Sequence, residues 1–248
     1  MVFTSLNFLL FFPAVILLFY ATPIKFRWLT LLVASYFFYL NIEPVFGLLT
    51  AFITVSTYIF TRLIDKAEED SKKSVFMYIN IAIILLPLFF FKYFIPINEG
   101  IFDMLEMYDM RWGLPRISFL LPVGISYYTF MAIGYTVDVY NEEMEAEKNI
   151  GIVALFIAFF PLVLSGPIER ATNMIPQFKS GMKLDPTNFS PGLQLMLWGY
   201  FMKLVVADRT AIYVDAIYNN VANHNGNSIL LASTLYPIQV YADLGAIP

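Results

Sequence analysis

Long, predominantly apolar blocks recur along this chain, about eight in all, each close to the ~17–25 residues that cross a bilayer as a helix. Lipid offers no partner to a backbone N–H or C=O, so a spanning segment must be a helix or belong to a closed barrel. Barrel strands alternate polar and apolar positions over about ten residues. The blocks here are solid, and they predict helices over residues 6–22, 26–40, 44–61, 74–94, 117–139, 150–164, 193–207 and 229–242. Of the 248 residues, 59% are hydrophobic and 14% charged, against roughly 25% charged in an ordinary soluble domain. One aqueous core of this size cannot hide that much apolar surface. The prediction is an all-α, polytopic transmembrane helical bundle of about seven or eight spans. It forms a single domain over residues 1–248, surrounded by the lipid bilayer of the cell (inner or plasma) membrane.

The connections are polar. Residues 65–73 read as a solvated loop, residues 141–148 as an acidic stretch, residues 165–191 as a Pro- and Gly-rich link, and residues 219–227 as an Asn-rich loop. Residues 95–116 mix acids with apolar residues, which fits either a helix lying along the membrane or a partly ordered loop. The N-terminus lacks a positive region and a small-residue cleavage site, so residues 6–22 are expected to be a retained span. Lys25, Arg27, Lys66, Lys72 and Lys73 favour an outside N-terminus, while Arg111, Arg116, Arg170, Lys179 and Lys183 fall on the opposite side if every block crosses.

Several chemistries are excluded. The net charge is −4 with no basic stripe, which leaves no basis for nucleic-acid binding. Cysteine is absent, and the single histidine, His224, sits in an Asn-Gly turn with no carboxylate near it in sequence. No metal-ligand cluster, phosphate-cradling Gly-rich loop or Gly-x-Ser-x-Gly elbow is present, so no bound cofactor or metal is expected.

Polar groups inside apolar blocks are costly, and they usually face a bundle interior or a wet cavity. Four segments carry them. Leu121-Pro-Val-Gly-Ile-Ser-Tyr-Tyr-Thr-Phe130 places hydroxyls at Ser126, Tyr127, Tyr128 and Thr129, after Pro122 and Gly124 have loosened the helix. This is either a tunnel wall or helix–helix glue. Phe159-Phe-Pro-Leu-Val-Leu-Ser-Gly-Pro-Ile-Glu-Arg170 breaks a helix at Ser165-Gly166-Pro167 and then supplies Glu169 and Arg170, which fits a re-entrant segment or an ordinary helix stop with an interfacial ion pair. In Gly199-Tyr-Phe-Met-Lys-Leu-Val-Val-Ala-Asp208, Lys203 can snorkel along its own stem to the interface. In Tyr236-Pro-Ile-Gln-Val-Tyr-Ala-Asp243, Gln239 and Asp243 share a helix face.

Taken in order, these four segments resemble the membrane-bound O-acyltransferase (MBOAT) family, in the branch of the bacterial alginate O-acetylation proteins. Met1-Val-Phe-Thr-Ser-Leu-Asn-Phe-Leu-Leu-Phe11 and Ala34-Ser-Tyr-Phe-Phe-Tyr39 match that branch too. The resemblance implies a ring of helices around a tunnel, and transfer of an acyl group to a hydroxyl. In this branch the group is relayed toward an extracytoplasmic polysaccharide such as alginate. It implies acetyl-CoA or an acyl carrier as donor substrate, and extracytoplasmic polysaccharide-modifying proteins as partners. Ser126, Tyr128, Ser165, Gly166, Glu169, Arg170, Gln239 and Asp243 are then the tunnel-lining candidates. The family's catalytic histidine lies in a later Trp-His pattern, and this chain has no such pair. The chain is therefore expected to be the N-terminal part of such an enzyme, a partial ring with no catalytic residue of its own and inactive alone. Broken helices and buried polar groups also fit a transporter or flippase for a lipid-linked sugar, although the paired repeats of transporters are not seen. A non-catalytic membrane scaffold is the third reading.

Overall fold

The computed structural model describes the chain except for residues 1–4, 42–43, 109–121, 123, 164–165, 182–185 and 247–248. Every regular element among the described residues is helical. The described residues fall into two compact units, one within Pro13–Leu164 and Ile168–Met182, the other within Val2–Phe12, Ser165–Pro167 and Lys183–Pro248. The first helix, α1 (Leu6–Ala21), contributes to both.

The first unit contains α2 (Arg27–Leu40), α3 (Pro44–Lys66), α4 (Asp70–Phe89), α5 (Ile95–Met107), α6 (Ile125–Tyr140), α7 (Ile150–Ala158), the short α8 (Phe160–Val163) and α9 (Ala171–Ser180). At its centre is α7. A helix that is apolar all round has no face to give to water, and every residue from Ile152 to Ala158 is buried. Helices α2, α3, α6 and α9 pack around it, and α4 packs on α3 and α6. Asn149 caps α7 by accepting a hydrogen bond from the Gly151 N–H at 2.9 Å.

A buried polar relay ties α3, α4 and α6 together. Ser56 Oγ donates to Asn80 Oδ1 at 2.9 Å, Asn80 Nδ2 donates to Thr136 Oγ1 at 2.8 Å, and Thr136 Oγ1 donates to the Ala132 carbonyl at 2.8 Å. Each of these side chains is buried. The relay satisfies polar groups that neither lipid nor an apolar core could.

Several expected boundaries move. Residues 65–73 are not one solvated loop: α3 runs to Lys66 and α4 begins at Asp70, so only residues 67–69 interrupt the helices. The charged residues there extend past the apolar blocks on the same helices. Residues 95–107 are helical and continue α4 through a π-helical turn, Phe90–Phe94, so that a single rod runs from Asp70 to Met107. The π turn follows Pro87, whose ring crowds the preceding turn and whose nitrogen cannot donate. Residues 165–191 are not a featureless link either, since α9 lies within them. Its buried residues Ala171, Met174, Ile175 and Phe178 follow the i, i+3, i+4, i+7 spacing of a one-sided helix. Of the block expected at 117–139, the described helix begins at Ile125, so Pro122 and Gly124 precede α6 and do not loosen its interior.

The connection between α6 and α7 is pinned to its surroundings. Arg170 pairs with Glu143 at 3.0 Å, Lys179 with the buried Glu147 at 2.5 Å, and Lys73 with Glu142 at 2.5 Å. The Ala146 N–H donates to Asp65 at 3.3 Å, and the Glu147 N–H donates to the Tyr135 hydroxyl at 2.8 Å. The hydrogen bond from Lys73 holds the exposed Glu142 carboxyl below its ordinary range. A lowered folded pKa contributes stability that is present above the unfolded value and is lost as pH falls through the folded one. Replacing Glu142 with Gln should therefore lower the unfolding midpoint at neutral and alkaline pH, leave it unchanged at pH values below the folded pKa, and so flatten the acid limb of the midpoint plotted against pH. An acid limb identical in both proteins would show that the contact contributes nothing.

The second unit contains α10 (Pro186–Phe201), a π-helical turn Met202–Ala207, α11 (Asp208–Tyr218) and α12 (Gly226–Gly245). The first three form one continuous helix, and α12 packs against the π turn and α11. Asn225 caps α12 through the Ser228 N–H at 2.9 Å.

Two described helices, Gly47–Lys66 and Asp70–Met107, are long and apolar enough to cross a membrane by length and composition. Leu17, Leu48, Leu86, Leu197 and Leu230 are each more than half exposed. Apolar surface spread this widely over helix flanks suits contact with hydrocarbon.

Candidate functional site

Polar groups collect at two places, one in each unit. The first surrounds the N-terminus of α6. Gly124 takes the left-handed conformation, with φ +79°. A Cβ built there would lie 2.1 Å from the Val163 carbonyl oxygen and 3.4 Å from the Tyr39 hydroxyl. Only glycine permits both the turn and the approach. The Tyr39 and Tyr128 rings meet at 6.5 Å between centroids, inclined at 64°. Both side chains are fully enclosed, and their hydroxyls, like that of Thr129, have no hydrogen-bond partner among the described residues. Buried hydroxyls without partners are uncommon and call for an oxygen or nitrogen to complete them.

The break in the α7–α8 helix falls beside these groups. The sequence suggests a break at Ser165-Gly166-Pro167, and a further one occurs at Phe159, whose ψ of 109° is extended. Ser35 covers the interruption: its Oγ donates to the Leu31 carbonyl at 2.8 Å and accepts from the Phe160 N–H at 3.3 Å. This is how a helix can be broken inside an apolar bundle without stranding a donor.

The second place is built on Lys203. In a π turn, hydrogen bonds run from i to i+5, which stacks residues five apart. Lys203 and Asp208 are five apart, and their charged groups meet at 3.1 Å. Asp243 of α12 approaches the same ammonium at 2.5 Å. One lysine thus bridges two carboxylates from two separate sequence motifs. Lys203 does not snorkel away alone. Its charge is matched in place, at about one-third exposure. One turn before Asp243, the buried Oε1 of Gln239 has no partner among the described residues.

The tunnel candidates distribute as follows. Ser126 and Tyr128 lie on the first turn of α6, Ser126 half-buried and Tyr128 fully buried. Glu169 is half-buried, and the exposed Arg170 pairs with Glu143 instead of its neighbour. These four belong to the first unit. Gly166, which is buried, belongs to the second with Gln239 and Asp243. Ser165 lies outside the described residues. Sequence reasoning missed Tyr39, Lys203 and Asp208 as site residues. The five-residue spacing of Lys203 and Asp208 was visible, but an ordinary helix puts that pair on different faces. No group of three metal-ligating side chains occurs among the described residues.

Described residues that form helices alone, with lipid-suited flanks, a broken central helix and buried hydroxyls near it, define the class of helical membrane proteins. The comparisons narrow this. The chain is 32% identical to a probable alginate O-acetylase of Pseudomonas putida, over 98% of its own length and 50% of that protein. It is equally identical to the corresponding protein of Azotobacter vinelandii, over 98% and 48%. It is 27% identical to a peptidoglycan O-acetyltransferase of Helicobacter pylori, over 90% and 46%. No family model and no solved structure matches it. The chain is thus similar along nearly its whole length to alginate O-acetylases, and it spans about half the length of the curated relatives it matches.

Proposed function

We propose that this chain supplies one part of a multi-pass inner-membrane O-acetyltransferase that passes acetyl groups from a cytoplasmic donor to hydroxyls of a cell-surface polysaccharide. The observation that carries this reading is the match to acetylating relatives along nearly all of the chain. The motif residues that suggest the family support it by meeting in space, Lys203 between Asp208 and Asp243. In this reading the seven or eight apolar blocks all cross the membrane. Ser126, Tyr128, Ser165, Gly166, Glu169, Arg170, Gln239 and Asp243 remain the candidates for handling the acyl group. Lys203 is a positioning residue: it holds α12 against the π turn and so sets the direction of Gln239. The hydroxyls and carboxylates hold the donor and acceptor. The proton leaving the acceptor hydroxyl is taken by a base that the rest of the enzyme provides.

A hybrid tests this reading. The chain replaces the matched half of the Pseudomonas putida relative in a strain lacking that enzyme, and acetate released from its alginate is measured. The hybrid should restore acetylation, and the chain by itself should not. Lys203→Met should cost about 1–2 kcal/mol of stability, between an exposed and a buried ion pair, and should lower acetylation, with Lys203→Arg recovering part of both. A hybrid that reaches the membrane in normal amount and leaves alginate unacetylated would sink the proposal.

A further inference from the structure

Within the first unit, a cavity of about 140 Å³ opens where α1, α2 and α9 meet the break at Phe159. Phe19, Leu31, Phe159, Met174 and Phe178 form its apolar wall, and Gln177 is the one polar side chain among its lining residues. A dry apolar cavity of about 150 Å³ accepts a benzene-sized hydrocarbon, so this one suits a short stretch of acyl chain. Such a lining offers nothing to a sugar or a nucleotide.

The rim is cationic. Arg27 donates from Nη1 to the Gly181 carbonyl at 2.9 Å and from Nε to the Thr22 carbonyl at 3.2 Å, and its guanidinium sits 5.2 Å from the centroid of the Phe19 ring. Gly181 and Phe19 both border the cavity, which places this charge at its edge. Gly181 has φ +59°, and a Cβ there would come within 2.4 Å of the Ile24 side chain. The turn Ile24–Phe26 therefore abuts the same edge, and Lys25 in that turn is exposed. Ile24 and Phe26, on either side of Lys25, are about half exposed. Basic residues alternating with aromatic and aliphatic ones between two apolar helices mark headgroup depth.

We propose that this cavity binds one acyl chain of an anionic phospholipid from the surrounding bilayer, with Lys25 and Arg27 facing its phosphate. The occupant follows from the pairing of hydrocarbon walls with a cationic rim. A zwitterionic lipid would offer the same chain with a positive group beside its phosphate. The inference rests on the chain residing in a membrane and not on acetyl transfer.

The test is native mass spectrometry of the full chain, released from micelles that contain equal amounts of phosphatidylglycerol and phosphatidylcholine. One phosphatidylglycerol should be retained per chain, about tenfold over phosphatidylcholine. Leu31→Trp and Met174→Trp, each filling the cavity, should lower that retention about tenfold. Lys25→Gln should bring the two lipids closer to parity. Equal retention of both lipids by the parent chain would overturn the proposal. So would undiminished retention by either filled variant with an unfolding midpoint like the parent's. No arm reads acetylation, so failure here and failure of the proposed function are separable.

Discussion

Replacing Gly124 with Ala should cost roughly 3 kcal/mol or more of stability, enough to deplete the folded protein. Two penalties combine. The left-handed backbone at φ +79° costs an L-residue about 1–2 kcal/mol. The added methyl would also sit 2.1 Å from the Val163 carbonyl oxygen. That oxygen is backbone at the end of α8 and cannot rotate away as a side-chain tip could. Either α8 or the first turn of α6 must move, and the buried Tyr39–Tyr128 pair packs against that turn. Gly134, also on α6, supplies the control. A Cβ there meets nothing within 4 Å, so Gly134→Ala should stabilise by about 0.5–1 kcal/mol. Unfolding of both variants in mixed micelles, followed by helix content, checks the contrast. A Gly124→Ala protein within about 1 kcal/mol of the parent would mean that the approach to Val163 is not tight.

Asn80→Ala should cost about 2 kcal/mol, the next largest effect. Single interhelical hydrogen bonds in membrane proteins average only ~0.6 kcal/mol and reach about 1.7. Asn80, however, makes two, and its loss also leaves a void where this fully buried side chain joins α3, α4 and α6. Thr136 keeps its own bond to the Ala132 carbonyl, whereas Ser56 loses the acceptor that joins α3 to α4. Thr136→Val should cost about 1 kcal/mol by stranding one Asn80 donor. The double variant should cost less than the sum, because both changes remove the same bond. Strict additivity, measured by the same unfolding experiment, would show that the relay does not act as a unit.

Much of the helical content was legible because it depends on local composition. The apolar blocks at residues 6–22, 26–40 and 229–242 return as α1, α2 and α12 with ends shifted by a few residues. The breaks were harder to read. Ser165-Gly166-Pro167 announces itself through glycine and proline, but Phe159 carries no such mark. It can break the helix because Ser35, far away in sequence, takes up the freed N–H. Helix α9 was hidden in a stretch rich in proline and glycine, although its one-sided spacing was present at Ala171, Met174, Ile175 and Phe178.

The candidate site divides along the same line. Tyr128, Gln239 and Asp243 stood out as polar groups in apolar surroundings, a property that any single segment displays. Tyr39 and Lys203 gain their meaning from what approaches them: a second tyrosine in one case, two carboxylates in the other. By itself, the sequence determined that the chain must be helical and must spend much of its surface on something other than water, because burying a backbone in an apolar medium demands local hydrogen bonds. Only the tertiary structure decided that the central helix also breaks at Phe159, that Gly124 must stay bare against Val163 and that Asp243 meets Lys203. Each of those depends on an atom brought close from a distant part of the chain, and local periodicity carries no record of it.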